Sequence, residues 1–437
     1  IFMSLLLDYG NPERALRRMN ELGVLGAIIP EFKRIIALMQ FNFYHSYTVD
    51  EHTIQCISFL ARIEQGILKE ELPIASEILK SGVDRRVLYI AMLLHDIGKG
   101  LPEDHSIAGA NIAKKIAPEL GLSTLETERV VWLVENHLVM SDFAQKRDLS
   151  DPRTVSNFGK IVKTTSNLNL LTVLTVCDIM GVGPGALNNW KAQLLRELYT
   201  NTRNLIKGGL DTQGKNKPYE IAKSTLTDLL VDWDNLEIQR EIDRHYPAYW
   251  QGLDTNTQYI FANLFKSFGS KKIVSHYEVD EDRDATRAQF VMQDHPGIFS
   301  RLTGAIALAN ANVIDARTYT TSDGYATPVF WIQDNDGKPF DLSRLNRLKK
   351  LIEQTLSGDV IARDALKVRN KLKPRERNFK VPTDITFDNQ GSDIYTIIEV
   401  DTRDRNSLLF DLTRTLANAN IQIASAVIAT YGAQAVD

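Results

Sequence analysis

Apolar positions recur every three or four places along roughly the first two hundred residues and every second place after about residue 285. The chain therefore predicts a helical part followed by a part built on sheet. Residues 1–39 read as short helices interrupted at Gly23 and Gly26, with Pro30 opening another helical turn toward Met39. Asp50 predicts the N-cap of a helix over 51–64 whose inner face is Val49, His52, Cys56, Ile57 and Leu60, which turns His52 toward the core. Segment 85–95 is almost wholly apolar and predicts a helix through the middle of the domain, ended by Gly98 and Gly100. Asp104-His105-Ser106 opens another helix that fades at Pro118. Val130, Leu133, Val134 and His137 share one face of a helix over 126–140, and Leu171, Leu174 and Asp178 one stripe of a helix over 168–180. A last amphipathic helix covers 190–206 and closes at Gly208-Gly209.

Residues 210–284 are polar and broken, and predict connecting helices. Beyond them the pattern predicts a strand at 287–292, a turn at 294–297, a helix at 298–309, strands at 312–321 and 326–333 around a Ser322-Asp323-Gly324 turn, and a helix at 342–356. That β-α-β-β-α-β order is the ferredoxin-like α+β arrangement. It starts again with a strand at 395–400, a helix at 407–419 and a strand at 421–430, and the stretches 302–315 and 412–425 share an Ala-Asn-Ala-Asn string. Two copies of one small domain, the second cut short, are the economical explanation. The expected layout is a helical domain at 1–209 with leading helices over 1–40, a connector at 210–284, a first α+β domain at 285–390 and a partial second at 391–437. The chain opens inside an apolar pattern and stops inside a β-rich stretch, as a piece of a larger protein would.

Composition narrows the class without changing this picture. With 43% apolar and 24% charged residues in 437, the chain is an ordinary globular one. Its 51 basic and 55 acidic side chains nearly balance, so no nucleic-acid footprint is expected. Cys56 and Cys177 are the only cysteines, which excludes a disulfide framework and suits a reducing cytoplasm. No membrane span or secretory leader is expected from the apolar runs.

The chemistry gathers where the apolar run 85–94 ends in His95-Asp96-Ile97-Gly98-Lys99-Gly100. Polar groups leaving water need partners, and a metal ion can partner a histidine and a carboxylate together. His52, His105, His137 and Asp178 complete a candidate set with His95 and Asp96. Each histidine alone reads as a core or surface residue; the set does not. Imidazole and carboxylate ligands suit a divalent ion, Mg or Mn first and Fe or Zn as alternatives, and the lack of nearby thiolates argues against a structural zinc. Six ligands over-fill one tetrahedral ion, so two ions bridged by Asp96 are a sensible arrangement. Such ions activate water and screen phosphoryl oxygens. Lys99 offers a point charge for a phosphate oxygen, and His45, beside Tyr44 and Tyr47, is a further catalytic candidate.

His52, His95-Asp96 and Asp178 resemble the HD phosphohydrolase superfamily, with His105 and His137 similar to the extra histidines of its two-metal members. The phrases YTVDEHT (47–53), LHDIGKG (94–100), VENHL (134–138) and VGPG (182–185) resemble one family more closely, the bifunctional uridylyltransferase/uridylyl-removing enzymes of bacterial nitrogen control. The resemblance covers essentially the whole chain. It implies an HD domain that hydrolyses the UMP–tyrosine phosphodiester of uridylylated PII signal protein and releases UMP, followed by two glutamine-sensing ACT domains through which a homodimer could form. It also implies an N-terminal nucleotidyltransferase domain for UMP transfer, whose Gly-Ser and paired-aspartate motif does not occur here. In the first ACT unit Asp294, His295, Gly297 and Asn312 are the ligand-binding candidates, where free helix N–H groups and a glycine permit approach of an amino-acid carboxylate. In the second, Arg405-Asn406-Ser407 replaces the usual Arg-Pro-Gly. A nucleotide phosphodiesterase with ACT regulation, and an inactive sensing scaffold, are the rival readings.

Overall fold

A computed structural model describes residues 1–39, 47–208, 217–367, 382–392, 395–403, 405, 407–431 and 434–436. The chain forms two compact units, one of residues 1–144 and 155–210, the other of residues 145–154 and 211–437.

The first unit is all-helical. Helix α1 (Glu13–Glu21) precedes α2 (Val49–Glu64), α3 (Arg85–Leu94), α4 (His105–Glu119), α5 (Thr124–Glu135), α6 (Val139–Lys146), α7 (Thr165–Val182) and α8 (Asn189–Gly208). Every residue of α3 from Val87 to Leu94 is buried, which is why its sequence shows no polar face. Its start is fixed by the Asp84 carboxylate accepting from Val87 N–H at 3.2 Å. Asp104 caps α4 the same way through Ser106 and Ile107, and Ser123 with Glu126 forms a capping box on α5.

Three local expectations change. Asp50 lies inside the first turn of α2, with Thr48 at the N-cap, because its carboxylate is engaged elsewhere. The helix expected over 126–140 breaks at Asn136–Leu138. There His137 Nδ1 takes the Val134 carbonyl at 2.7 Å in place of a helical amide, while the Asn136 side-chain amide adds a bond of 2.8 Å to the Trp132 carbonyl, which also keeps its backbone partner. Helix α7 is longer than expected, and its 18 residues are apolar enough to cross a membrane by length and composition, contrary to the expectation of no such run. Here it packs against α2, α3, α5 and α8 as the central helix of the unit.

The second unit holds α9 (Thr255–Phe268), β1 (Ile273–Asp280), β2 (Ala285–Gln293), α10 (Ile298–Leu308), β3 (Asn312–Arg317), β4 (Val329–Gln333) and α11 (Leu345–Ser357). The repeat follows as β5 (Asp384–Asp388), β6 (Ile397–Arg403), α12 (Leu408–Asn418), β7 (Ser425–Val427), β8 (Ala429–Tyr431) and β9 (Gln434–Val436). Strand β1 was not anticipated in the connecting region; its side chains are mostly half-buried, which hides the alternation. It pairs with β2 along its full length, and the first sheet runs β1-β2-β4-β3-β7, with a two-residue strand at Tyr325–Ala326 on β2. The second runs β5-β6-β9-β8. The same order of corresponding strands appears in both sheets, so the internal repeat is structural.

The two copies meet about a local dyad. Strands β3 and β7 pair antiparallel with Ala316 opposite Ala426, and the Thr303 and Thr413 hydroxyls bond at 3.1 Å between α10 and α12. Both helices start from a left-handed residue, Gly297 (φ 84°) in the first and Ser407 (φ 82°) in the second. Serine carries a Cβ into a conformation that costs a non-glycine residue about 1–2 kcal/mol. Ser407→Gly is therefore expected to stabilise this unit by about 0.5–1 kcal/mol, read as a higher midpoint in denaturant unfolding. A lower midpoint would show that contacts of the serine side chain outweigh the backbone cost.

Candidate metal centre

Asp96 sits at the heart of the helical unit, one residue beyond His95, the C-cap of α3, and is 2% exposed. Around it stand His95 Nε2 at 3.4 Å and His52 Nε2 at 3.6 Å from Oδ2, and His137 Nε2 at 3.7 Å and His105 Nε2 at 3.9 Å from Oδ1. Asp178, on α7, brings Oδ1 to 3.1 Å from His52 Nε2 and 3.6 Å from His95 Nε2. The six residues picked from the sequence as ligands are thus brought together, in two adjacent groups: His52, His95 and Asp178 with Cys56, and Asp96 with His105 and His137.

The orientation of the rings matters as much as their proximity. His95 Nδ1 lies 2.8 Å from the Met92 carbonyl and His137 Nδ1 2.7 Å from the Val134 carbonyl. Each Nδ1 therefore carries the proton it donates, and each Nε2 presents a lone pair inward. The buried His137 Nε2 has no hydrogen-bond partner, and faces a carboxylate oxygen beyond hydrogen-bond reach. Two acceptors facing each other across such a gap are what a cation between them would satisfy. In the first group the nitrogen–nitrogen and nitrogen–oxygen separations of 3.1–3.6 Å fit the edges of a tetrahedron with bonds of about 2.0–2.1 Å. The donor set fits a divalent ion.

Electrostatics agree. Burial pushes the Asp96 carboxyl up, but His95, Lys99 and His52 outweigh it and hold the group well below the usual carboxylate range. Burial likewise opposes ionisation of Asp178, yet the hydrogen bond from His52 and the neighbouring His95 keep it well below. Burial, with the neighbouring His95, lowers His137 to about 4, so its imidazole is neutral and ready as a ligand near neutral pH. Burial also lowers His105. For His52, burial opposes the charged form, but the Asp178 carboxylate that accepts from its ring raises it well above its ordinary value. A proton there holds the positive charge between the carboxylates that metal binding would release.

Lys99 Nζ stands 2.6 Å from Asp96 Oδ2 as an ion pair, so the lysine faces the centre. His45 lies outside the described residues. The sequence missed Cys56 as a neighbour: its Sγ lies 3.5 Å from His52 Nε2, contrary to the expectation of no thiol nearby. Spacing of one helical turn from His52 was the available signal. Burial raises this thiol's pKa, so it stays protonated beside the ring. Gly181 was also missed; a Cβ there would lie 3.2 Å from two atoms of the His52 ring.

The candidate amino-acid site is brought together only in part. Gly297 starts α10 in a left-handed conformation, the Asp294 carboxylate accepts from the Thr320 hydroxyl at 2.7 Å, and His295 is exposed with Nδ1 3.1 Å from the Pro296 carbonyl. Asn312 is not with them. Strand β4 is antiparallel to both β2 and β3, so those two run the same way, and Asn312 begins β3 at the end of the sheet opposite the Asp294 turn.

Comparison with known proteins matches the HD domain family to residues 49–169, the ACT domain family to 286–352, and an ACR9-like, ACT-like domain to 384–437. Over the whole chain it is 63% identical to a protein of Cereibacter sphaeroides, 62% to one of Ruegeria pomeroyi and 45% to one of Azospirillum brasilense, each named bifunctional uridylyltransferase/uridylyl-removing enzyme. The chain spans about half the length of these relatives, 47–49%. The HD match contains five of the six clustered residues, all but Asp178, which lies just beyond it. These 437 residues are an HD- and ACT-domain relative of the bifunctional uridylyltransferase/uridylyl-removing enzymes.

Proposed function

We propose that the helical unit is a cytoplasmic metal-dependent phosphodiester hydrolase that removes UMP from a tyrosine of uridylylated PII protein, under control of glutamine at the ACT units. The observation that carries this reading is the convergence on Asp96 of buried histidines whose Nε2 lone pairs are turned inward by their own backbone partners. His52, His95, Asp96 and Asp178 would hold one ion, and Asp96, His105 and His137 a second, Mg or Mn being the best fit to nitrogen and oxygen donors. A divalent ion bound there supplies an acidified water and charge stabilisation for phosphoryl oxygens.

The chain's own residues do the rest. Carbonyls of Met92 and Val134 fix the tautomers of His95 and His137. The Lys99 ammonium, 15% exposed, places a positive charge at the rim of the centre for a non-bridging phosphate oxygen. His105 is the most exposed of the four histidines and marks the open side. A tyrosinate leaving group has a pKa of about 10, so departure demands little proton donation. The names of the relatives supply the uridylyl group; UMP transfer is assigned to a part of the whole enzyme beyond these residues.

The test is release of UMP from uridylylated PII by this chain with Mn(II), beside mononucleotide and cyclic-nucleotide substrates. UMP release that a chelator stops and added Mn(II) restores is the expected result. Faster cleavage of free nucleotides would move the assignment to a nucleotide phosphodiesterase, and a metal-loaded chain that cleaves neither would leave the scaffold reading.

A further inference from the structure

Asp50 stands two residues before His52 yet contributes nothing to the metal cluster, and it is buried, 5% exposed. Its Oδ2 accepts from the Asn20 side-chain amide at 2.6 Å, and its Oδ1 accepts from the backbone N–H of Ala37 at 3.2 Å. Ala37 is left-handed, φ 54°, a conformation that costs a residue with a Cβ energy unless something holds it. The next residue, Leu38, accepts from Val49 N–H at 3.0 Å through its carbonyl, so the turn is tied to the start of α2 twice.

The far side of this turn meets the metal loop. A Cβ at Gly100 would stand 3.2 Å from Leu38 Cδ2 and 3.8 Å from Arg34 Cγ, and Gly100 itself is left-handed at φ 82°. Gly100 follows Lys99 directly, and Lys99 is the residue whose ammonium sits on Asp96. A line of neighbouring groups thus runs from the Asp50 carboxylate through Ala37 and Leu38 to the backbone that carries Lys99.

We propose that Asp50 is a positioning residue of this centre: it holds the Ala37–Leu38 turn against Gly100 and thereby fixes the Lys99 ammonium on the Asp96 carboxylate. The proposal deepens the hydrolase reading in assigning Lys99 its place, but the geometry it invokes is independent of the substrate. A carboxylate suits the role because it accepts from a backbone amide and a side-chain amide at once, one on each oxygen.

The test follows the Lys99 side chain in protein labelled with 13C and 15N at lysine, its signal assigned by loss in Lys99→Met. In the wild type the ion-paired ammonium is expected to show slow proton exchange. Asp50→Ala should accelerate that exchange at least tenfold, whereas Asp50→Asn, which keeps an oxygen for Ala37 and can pair with a flipped Asn20 amide, should restore most of the protection. Leu38→Ala cuts the same path without removing a buried charge, and serves if Asp50→Ala fails to fold. Hydrolysis of bis(p-nitrophenyl) phosphate is expected to lose about tenfold in kcat with little change in KM, as a misplaced group near the reacting centre does. Unchanged Lys99 exchange in both Asp50→Ala and Leu38→Ala would overturn the proposal. Altered exchange in a protein that cleaves no phosphodiester would instead leave Asp50 in its role and remove the hydrolase reading.

Discussion

Asp96→Ala is expected to remove at least one bound ion and to lower UMP release by more than about a hundredfold. Among the described residues it is the one side chain that faces both groups of ligands, with Oδ2 toward His52 and His95 and Oδ1 toward His105 and His137. No neighbour can replace it, since Asp178 reaches only the first group. The substitution also strips the counter-charge from Lys99, an ammonium 2.6 Å away. Breaking a buried ion pair from one side costs about 3–5 kcal/mol, so the metal-free variant should melt earlier than the metal-free wild type. Asp96→Asn separates the effects: it keeps the shape and removes the charge, and it should lose metal with a smaller loss of stability. Calorimetric titration with Mn(II) and a UMP release assay read both. Wild-type metal content and rate in Asp96→Ala would sink the assignment of the centre.

Much of this centre was legible because burial leaves a mark on sequence. An apolar helix that ends in His95-Asp96, and apolar stripes that end in His137 and Asp178, each place a polar group where only a partner can keep it. Spacing alone does not reveal what a side chain will choose as its partner. Asp50 has the composition of a helix cap and instead reaches across to Ala37, a contact 13 residues away in sequence. The break after Asn136 is equally hidden, because it turns on the His137 ring taking the Val134 carbonyl of its own helix.

The sheet part shows a different limit. Alternation found β2, β3 and β4 but not β1, whose faces are nearly equally half-buried. Direction is also absent from a one-dimensional pattern. Asn312 follows α10 as closely as Asp294 precedes it, yet the helix carries the chain back along the sheet, and the two residues lie at opposite ends of parallel strands. The repeat itself was legible, but its true register appears in the structure, in the matched left-handed residues Gly297 with Ser407 and Asn310 with Asn420 and in the pairs Thr303 with Thr413 and Ala316 with Ala426, each 110 positions apart.

Gly98→Ala is expected to separate the two halves of the centre without replacing a ligand side chain. Gly98 is not among the left-handed glycines, so its backbone would accept any residue; space is what forbids one. A Cβ there would lie 2.6 Å from the Gly109 nitrogen and 3.0 Å from the His105 carbonyl carbon, with the His105 oxygen closer still. Those are backbone atoms of the first turns of α4, and they cannot rotate away as a side chain could. Gly109 faces it from the other side, where a Cβ would meet Gly98 N and His95 O at an ordinary 3.6 Å but press on Val134 Cγ1 at 3.1 Å. The missing Cβ of Gly98 thus lets the loop bearing Asp96 lie directly on the helix that begins with His105. Forcing them apart should cost about 1–3 kcal/mol through overpacking. It should also draw His105 off Asp96, while His52, His95 and Asp178, held by α2, α3 and α7, keep their geometry. One ion should therefore be lost and one retained, with catalysis reduced about a hundredfold by misplacement on the order of 1 Å. Gly82→Ala is the control, since Gly82 is left-handed at φ 90° with nothing within 4 Å of a new Cβ. It should lower stability through the backbone alone and leave Mn(II) stoichiometry unchanged. Loss of both ions in Gly98→Ala would show the two groups to be one inseparable site, and loss of neither would show that α4 yields more readily than its backbone contact implies.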